Sequence, residues 1–271
     1  MDFSTVVLLI GLGILVGFIG TLIGAGGGFI LVPVLLLLYP QLRPEAVTSI
    51  SLGVVFLNAG SGSFAYARMK RIDYRSAWRF AMATLPGAVS GAFMTYYLPK
   101  TIFNWILGIV LLIISIFLLF KPTGAIAVDK KKQEGHTHRL IIDRNGNQYS
   151  YSFNLWTGVI ISFFVGFVSS LLGIGGGVIH VPALTTLLNF PIHIATATSH
   201  FILAIMALAG TLVHIYQGTL NHSWSTMLLI GAGVIAGAQP AAYLSHHVKP
   251  NIIVRVLAIA LLLVGVRILF S

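Results

Sequence analysis

One glycine-rich phrase occurs twice in this chain, and both copies lie inside apolar sequence. Residues 17–33 read GFIGTLIGAGGGFILVP and residues 166–182 read GFVSSLLGIGGGVIHVP. Gly17, Gly24, Gly26, Gly27, Gly28, Val32 and Pro33 recur at a fixed offset as Gly166, Gly173, Gly175, Gly176, Gly177, Val181 and Pro182. A regular helix does not sustain such runs, because each Gly costs about 1 kcal/mol relative to Ala. Matching breaks in the two halves of an apolar chain are the pattern expected of a carrier built from internal repeats.

Composition sets the solvent. The 271 residues are 57% hydrophobic and 8% charged, where a soluble domain carries about 25% charged residues. The chain therefore reads as an integral membrane protein. Its apolar runs are continuous rather than alternating, so they are helices and not barrel strands. The net charge of +10 does not indicate a nucleic-acid partner, because the basic residues cluster at the ends of apolar runs, as the positive-inside rule expects of cytoplasmic loops. The absence of cysteine excludes disulfides, thiolate catalysis and cysteine-ligated zinc. The start, MDFSTVVLLIG, lacks the basic region of a cleaved signal peptide and is expected to remain in the first span.

Five apolar elements are predicted in each half, at roughly 4–23, 28–39, 46–67, 77–98 and 101–120, then roughly 154–172, 177–188, 194–216, 224–244 and 250–270. A single helix over 4–38 would be about 52 Å long, too long for one crossing of about 30 Å. The economical reading is a helix, a Gly-rich break and a shorter helix returning to the same side. Arg68, Lys70, Arg71, Arg75 and Arg79 place one loop in the cytoplasm, and Lys121, Lys130, Lys131, Lys132, Arg139 and Arg144 place the central linker there. Each half then crosses a net odd number of times, so the copies are inverted, with both termini and the 217–223 loop external. Thr48 and Ser51 match Thr196 and Ser199, and Gly87, Gly91 and Ala92 match Gly233, Gly237 and Ala238.

The expected architecture is thus an all-α polytopic protein of the cell membrane: a first repeat over 1–120, a cytoplasmic linker over 121–153 and a second repeat over 154–271. Within the linker, Asn145-Gly146 stands between runs rich in Ile and Tyr. This predicts a small β-hairpin with a type I′ turn, which needs positive φ at both central residues. His136 and His138 read as solvated linker rather than metal ligands.

All six acidic residues, Asp2, Glu45, Asp73, Asp129, Glu134 and Asp143, fall at loops, ends or the linker. Cation pumps and proton relays rely on intramembrane carboxylates, so a cationic substrate is disfavoured, as are paired-carboxylate catalysis and carboxylate-bound metals. No metal or cofactor is expected. What replaces the carboxylates is backbone. Each break presents unpaired N–H groups at the start of a short helix, and helix N-termini bind anions. Gly24, Gly26, Gly27 and Gly28, with Gly173, Gly175, Gly176 and Gly177, are therefore the candidate substrate-binding backbone. Gly20, Gly53 and Gly91 read instead as packing glycines.

Thr48, Ser49, Ser51 and Asn58 on the third element, Thr196, Thr198, Ser199 and His200 on the eighth and Gln239 on the ninth supply candidate polar side chains. The bland alternative for each hydroxyl is a bond to its own helix. From these, Thr48, Ser51, Asn58, Thr198, Ser199, His200 and Gln239 join the candidate binding set. His180 and His200 have Leu31 and Leu52 as counterparts in the first half. An intramembrane ionisable group is by default a functional hypothesis, so both are candidate proton carriers. His193, His214, His222, His246 and His247 fall near interfaces and receive no role. Tyr39, Trp78, Tyr96, Tyr97, Trp105, Trp156 and Trp224 read as interfacial anchors.

With GTLIGAGGGFILVP at 20–33, SSLLGIGGGVIHVP at 169–182, the Thr-Ser pattern after each and GAQPAAYL at 237–244, the chain resembles the TauE/SafE family, often called sulfite exporters. The resemblance covers the whole chain, although the hairpin linker is not part of its motif and takes no role from it. It implies transport of a small anion such as sulfite or an organosulfonate such as sulfoacetate. The expected function is secondary transport by alternating access, with the small anion and the bilayer as partners and homo-oligomerisation left open. An anion channel is the alternative. An intramembrane enzyme ranks last, because no Ser-His-Asp set is available at membrane depth, and a scaffold has no need of doubled helix breaks.

Overall fold

The computed structural model describes residues 2–120, 137–221, 223–245 and 251–270. Lys121, Lys130, Lys131, Lys132, His136, Asp129, Glu134, His222, His246, His247 and the first part of the linker lie outside the described residues.

Among the described residues there are ten helices and one two-stranded sheet. The helices are α1 (Phe3–Ile23), α2 (Gly28–Leu38), α3 (Pro44–Arg68), α4 (Tyr74–Thr95), α5 (Lys100–Phe120), α6 (Leu155–Leu172), α7 (Gly177–Thr186), α8 (Ile192–Tyr216), α9 (Trp224–Leu244) and α10 (Asn251–Leu269). Each predicted element is present. Six of them, α1, α3, α5, α6, α8 and α9, are long and apolar enough to cross a membrane. α4 has the length, at 22 residues, but Arg75 and Arg79 lie in its opening turns. α2 and α7, at 11 and 10 residues, are too short for a straight crossing.

Local chemistry sets the ends. α3 opens on Pro44 and Glu45 and closes on Arg68, which suits the missing N–H of proline and the sign of the helix dipole. Asp73 caps α4 by accepting the N–H of Ser76. Asn154 caps α6 by accepting from Trp156 and Thr157. α1 stops because Gly24 turns to φ +87°, and its N–H returns to the carbonyls of Gly20 and Thr21.

The two halves pack reciprocally. α1 lies on α9 as α6 lies on α4, α3 crosses α9 as α8 crosses α4, α3 pairs with α8, and α5 with α10. Glycines make the closest of these approaches. Gly13 and Gly17 lie on the α9 backbone around Ile230 and Val234, while Gly233 and Gly237 lie on α1 at Ile10 and Ile14. In the matching contact Gly87 and Gly91 lie on Phe163 and Phe167, and Gly166 on Thr84. Apolar helices in lipid gain little from the hydrophobic effect and associate through such small-residue faces. Along the α3–α8 pair Thr48 meets His214, Leu52 meets Gly210 and Gly62 meets His200. The two helices therefore run antiparallel.

The linker strands are β1 (Thr137–Ile142) and β2 (Gln148–Phe153), antiparallel, with Thr137 opposite Phe153 and Ile142 opposite Gln148. The hairpin is present, but its turn is not type I′. Only Gly146 has positive φ, at +83°, and its N–H bonds the carbonyl of Asp143. This is a type I turn closed by a left-handed glycine. The cause is Asp143, whose Oδ1 accepts the N–H groups of Asn145 and Asn147 and holds Asn145 out of the left-handed region.

This hairpin is docked rather than loose. Tyr151 and Phe153 are buried against Phe80 and Phe190. Tyr151 donates to Asp73 Oδ2 at 2.8 Å, Arg139 pairs with Asp73 at 3.5 Å and the N–H of Arg144 bonds the carbonyl of Met69. Burial and the charge of Asp73 push the Tyr151 phenol well above its ordinary value. The hairpin thus marks one end of the bundle, together with the α3–α4 loop and the α7–α8 loop. At the other end Lys100 donates to the carbonyl of Pro40, joining the α2–α3 and α4–α5 loops.

Candidate functional site

The two breaks meet. Gly28, at the start of α2, lies against the carbonyls of Gly173 and Ile174, where an added Cβ would stand 2.6 Å from the Gly173 oxygen. Gly177, at the start of α7, lies against the Gly24 carbonyl and the Ala25 Cα. The third helix of each half reaches the break of the other. Ser51 Oγ donates to the Gly173 carbonyl at 2.6 Å, and Ser199 Oγ donates to the Gly24 carbonyl at 3.4 Å. Val55 packs against both Gly26 and Gly175. Gly24 through Gly28 and Gly173 through Gly177 are all buried.

Backbone accounting shows what the junction offers. Gly27 caps α2 and Gly176 caps α7. The N–H groups of Ile30 and Leu31 return to the Gly27 carbonyl, and those of Ile179 and His180 to the Gly176 carbonyl. The first two N–H groups of each helix, at Gly28 and Phe29 and at Gly177 and Val178, have no intrahelical acceptor. Two buried helix N-termini with unspent donors thus flank one another. The copies differ at one residue: Gly24, Gly26, Gly27, Gly173 and Gly175 have positive φ, whereas Gly176 sits at −61°. The left-handed argument therefore applies to Gly27 and not to Gly176.

Beside the junction lies a buried polar ring. Asn58 Oδ1 accepts from Thr21 Oγ1 at 3.0 Å, which leaves its Nδ2 without a partner. One turn on, Gly62 admits the His200 ring, to which an added Cβ would come within 2.6 Å. Another turn on, Tyr66 meets the same ring edge-on at 5.4 Å and donates to the Thr21 carbonyl. His200 Nδ1 lies 3.3 Å from the Thr196 carbonyl. A carbonyl only accepts, so Nδ1 carries the proton of that bond, and Nε2, unpartnered, is left as an acceptor. The ring therefore holds one free donor, Asn58 Nδ2, and one free acceptor, His200 Nε2.

Other candidate side chains lie elsewhere. Thr198 Oγ1 accepts the Asp73 N–H at 3.1 Å, linking α8 to the start of α4. Gln239 donates to the Ser61 carbonyl and hydroxyl at 3.1 and 2.9 Å, beside an outer groove lined by Phe56, Leu57 and Ile235. Thr48 bonds the Pro44 carbonyl of its own helix, although its Cα packs against Gly173. His180 Nε2 meets Ser162 Oγ at 3.2 Å, and its Nδ1 is unpartnered.

Thr21, Gly62 and Tyr66 were not singled out by the sequence pattern, though Thr21 stands inside the repeated phrase at the place of Ser170. Nor was His214, which is fully buried and meets Thr48 and Thr219. It follows His200 by 14 residues, close to four helical turns, so both rings face α3.

The model of the family described as sulfite exporter TauE/SafE matches residues 9–268. The probable membrane transporter protein YunE of Bacillus subtilis is 32% identical, with 98% of this chain and 97% of that protein covered. A probable membrane transporter protein of Methanocaldococcus jannaschii is 26% identical over 80% of this chain and 75% of its own length. Probable membrane transporter protein ORF9 of a Sinorhizobium species is 24% identical over 93% of this chain and 88% of its own. No solved structure matches the chain. The family and these names indicate a multi-pass membrane transporter rather than an enzyme.

Proposed function

This chain belongs to the sulfite exporter TauE/SafE family, and from that premise we propose that it is a secondary transporter of a small anion, with sulfite or an organosulfonate as the substrate class. The observation that carries the reading is the reciprocal junction: two buried helix N-termini, each with unspent N–H donors, held together by Ser51 and Ser199. Positive dipole ends and free donors favour negative charge. Glutamate and aspartate are absent from this depth: among the described residues the buried carboxylates are Glu45, Asp73 and Asp143, at two helix starts and the hairpin.

The repeats are read as inverted, each beginning with a helical hairpin broken at glycine. The antiparallel α3–α8 pair and the exchanged partners of α1 and α6 support this. Alternating access then consists of one set of helices rocking against the other about the junction. The hairpin end is assigned to the cytoplasm because Arg68, Lys70, Arg71, Arg139 and Arg144 gather there, and the 217–223 loop is then external. A cysteine at exposed Asn221 tests this in a chain without native cysteine. It is expected to react with an impermeant maleimide added to intact cells. Reaction only after permeabilisation would overturn the orientation and the inversion.

His200 is assigned the coupled proton. Its Nε2 is the free acceptor beside Asn58, and a proton there turns it into a second donor for the anion. The ionisable group facing it among the described residues is Tyr66 on α3; Arg71 acts on the Tyr66 phenol through its charge, and the N–H of Asp73 donates to Thr198 on the same helix as His200. Sulfite flux into proteoliposomes, measured from about pH 4 to pH 8, is expected to rise with proton concentration in the native protein. His200→Gln should flatten that profile, and His180→Gln should change it less. An unchanged profile in His200→Gln would reduce the histidine to a structural bridge.

A further inference from the structure

The hairpin covers an arginine whose donors are largely unused. Arg71, in the α3–α4 loop, is 3% exposed. Its contact with Asp143 runs from Nη2 to Oδ2 at 3.6 Å, and its Nε and Nη1 have no partner. Asp143 does not satisfy it, because that carboxylate is committed to its own turn. Oδ1 accepts the N–H groups of Asn145 and Asn147, both at 2.9 Å, and Oδ2 accepts from Asn147 Nδ2 at 3.1 Å. A guanidinium has five N–H donors. Removing one from water without filling them is among the most costly arrangements a fold contains. Nor is Arg71 needed to dock the hairpin, since Arg139, Tyr151, Phe153 and the Arg144 N–H already do so.

The surroundings suit a ligand. Tyr66 and Tyr149 lie within range of the Arg71 charge. Tyr66 is also the ring that packs on His200. The Arg71 N–H also bonds the Tyr66 carbonyl at 3.3 Å, so the loop that carries the unused guanidinium joins directly to the helix end that lines the polar ring.

We propose that Arg71 forms a second anion subsite, at the hairpin end of the protein, that takes a small oxyanion on Nε and Nη1. The planar guanidinium is the side chain best matched to oxyanions. The subsite takes its ligand class from the reading of the protein as an anion transporter, and holds the ion where it enters or leaves. Asp143 competes with the ion for the same charge.

Sulfite titrated calorimetrically into the purified full chain tests this. The native protein is expected to bind at two sites. Arg71→Gln should remove one, and Gly176→Val, at the junction, the other. Asp143→Asn is the decisive variant. Asparagine offers the same turn an acceptor oxygen but no competing charge, so affinity at the Arg71 subsite should rise several-fold. A purely structural ion pair predicts the opposite, namely a weaker hairpin and no gain in binding. One site, lost in Gly176→Val and untouched in Arg71→Gln and Asp143→Asn, would overturn the subsite and leave the junction standing. One site lost only in Arg71→Gln would keep the subsite and overturn the junction. Displacement of sulfite from the Asp143→Asn protein by sulfate or phosphate supports the oxyanion class, and equal displacement by chloride would contradict it.

Discussion

Valine at Gly27 and valine at Gly176 are both expected to reduce transport to background, by different routes. Gly27 has φ +85°, and an added Cβ would lie 2.6 Å from Val16 Cγ1 and 2.9 Å from the Val16 carbonyl oxygen. The left-handed conformation alone costs an L-residue about 1–2 kcal/mol, and the carbonyl cannot swing aside as a side chain does. Gly27→Val should therefore also lower the melting temperature and the folded yield. Gly176 is in the ordinary helical region, at φ −61°. Its added Cβ would meet Val165 Cγ1 at 2.9 Å, Ser169 Oγ at 3.1 Å and Met206 Sδ at 3.3 Å, and these are side-chain ends that can shift. Gly176→Val should insert and melt within a few degrees of the native protein while failing to transport. Flux and thermal melts on the same preparations separate the two routes. Normal flux through a well-folded Gly176→Val protein would leave these glycines as packing residues only.

The sequence made the breaks legible because glycine acts locally: three in a row end a helix wherever they stand. Element ends were legible only to within a few residues, because the apolar pattern does not mark the proline and caps at Pro44, Asp73 and Asn154 that set them. The hairpin was legible as a hairpin, but its turn type was not, because Asp143 decides it with a side chain reaching two and four residues ahead. The asymmetry between Gly27 and Gly176 was also hidden. The two phrases are nearly the same, yet Gly27 meets Val16 alone whereas Gly176 meets Val165, Ser169 and Met206.

The polar ring was half legible. Asn58 and His200 stand out as polar residues in apolar helices. Thr21 and Tyr66 do not, and only the crossing of α1, α3 and α8 brings the four together. Thr198 belongs to the same run as Ser199 and His200, yet it points to Asp73. Neighbours on a helix are about 100° apart, so a polar run along the chain does not form one face. His214 does lie near a helix end, but its burial there was not legible. Antiparallel pairing of α3 with α8 buries that end against Thr48, and no local pattern encodes such a pairing.

On the proposed function, a small anion crosses this protein by alternating access through the glycine junction. Counterflow in proteoliposomes measures it directly. Vesicles holding the purified chain are loaded with unlabelled sulfite, and entry of labelled sulfite is followed from outside. A carrier predicts saturable uptake that internal sulfite accelerates, and Gly176→Val should abolish it. Uptake that neither saturates nor responds to internal sulfite would identify a channel. The absence of flux for sulfite, sulfoacetate and sulfate alike would overturn anion transport through the junction.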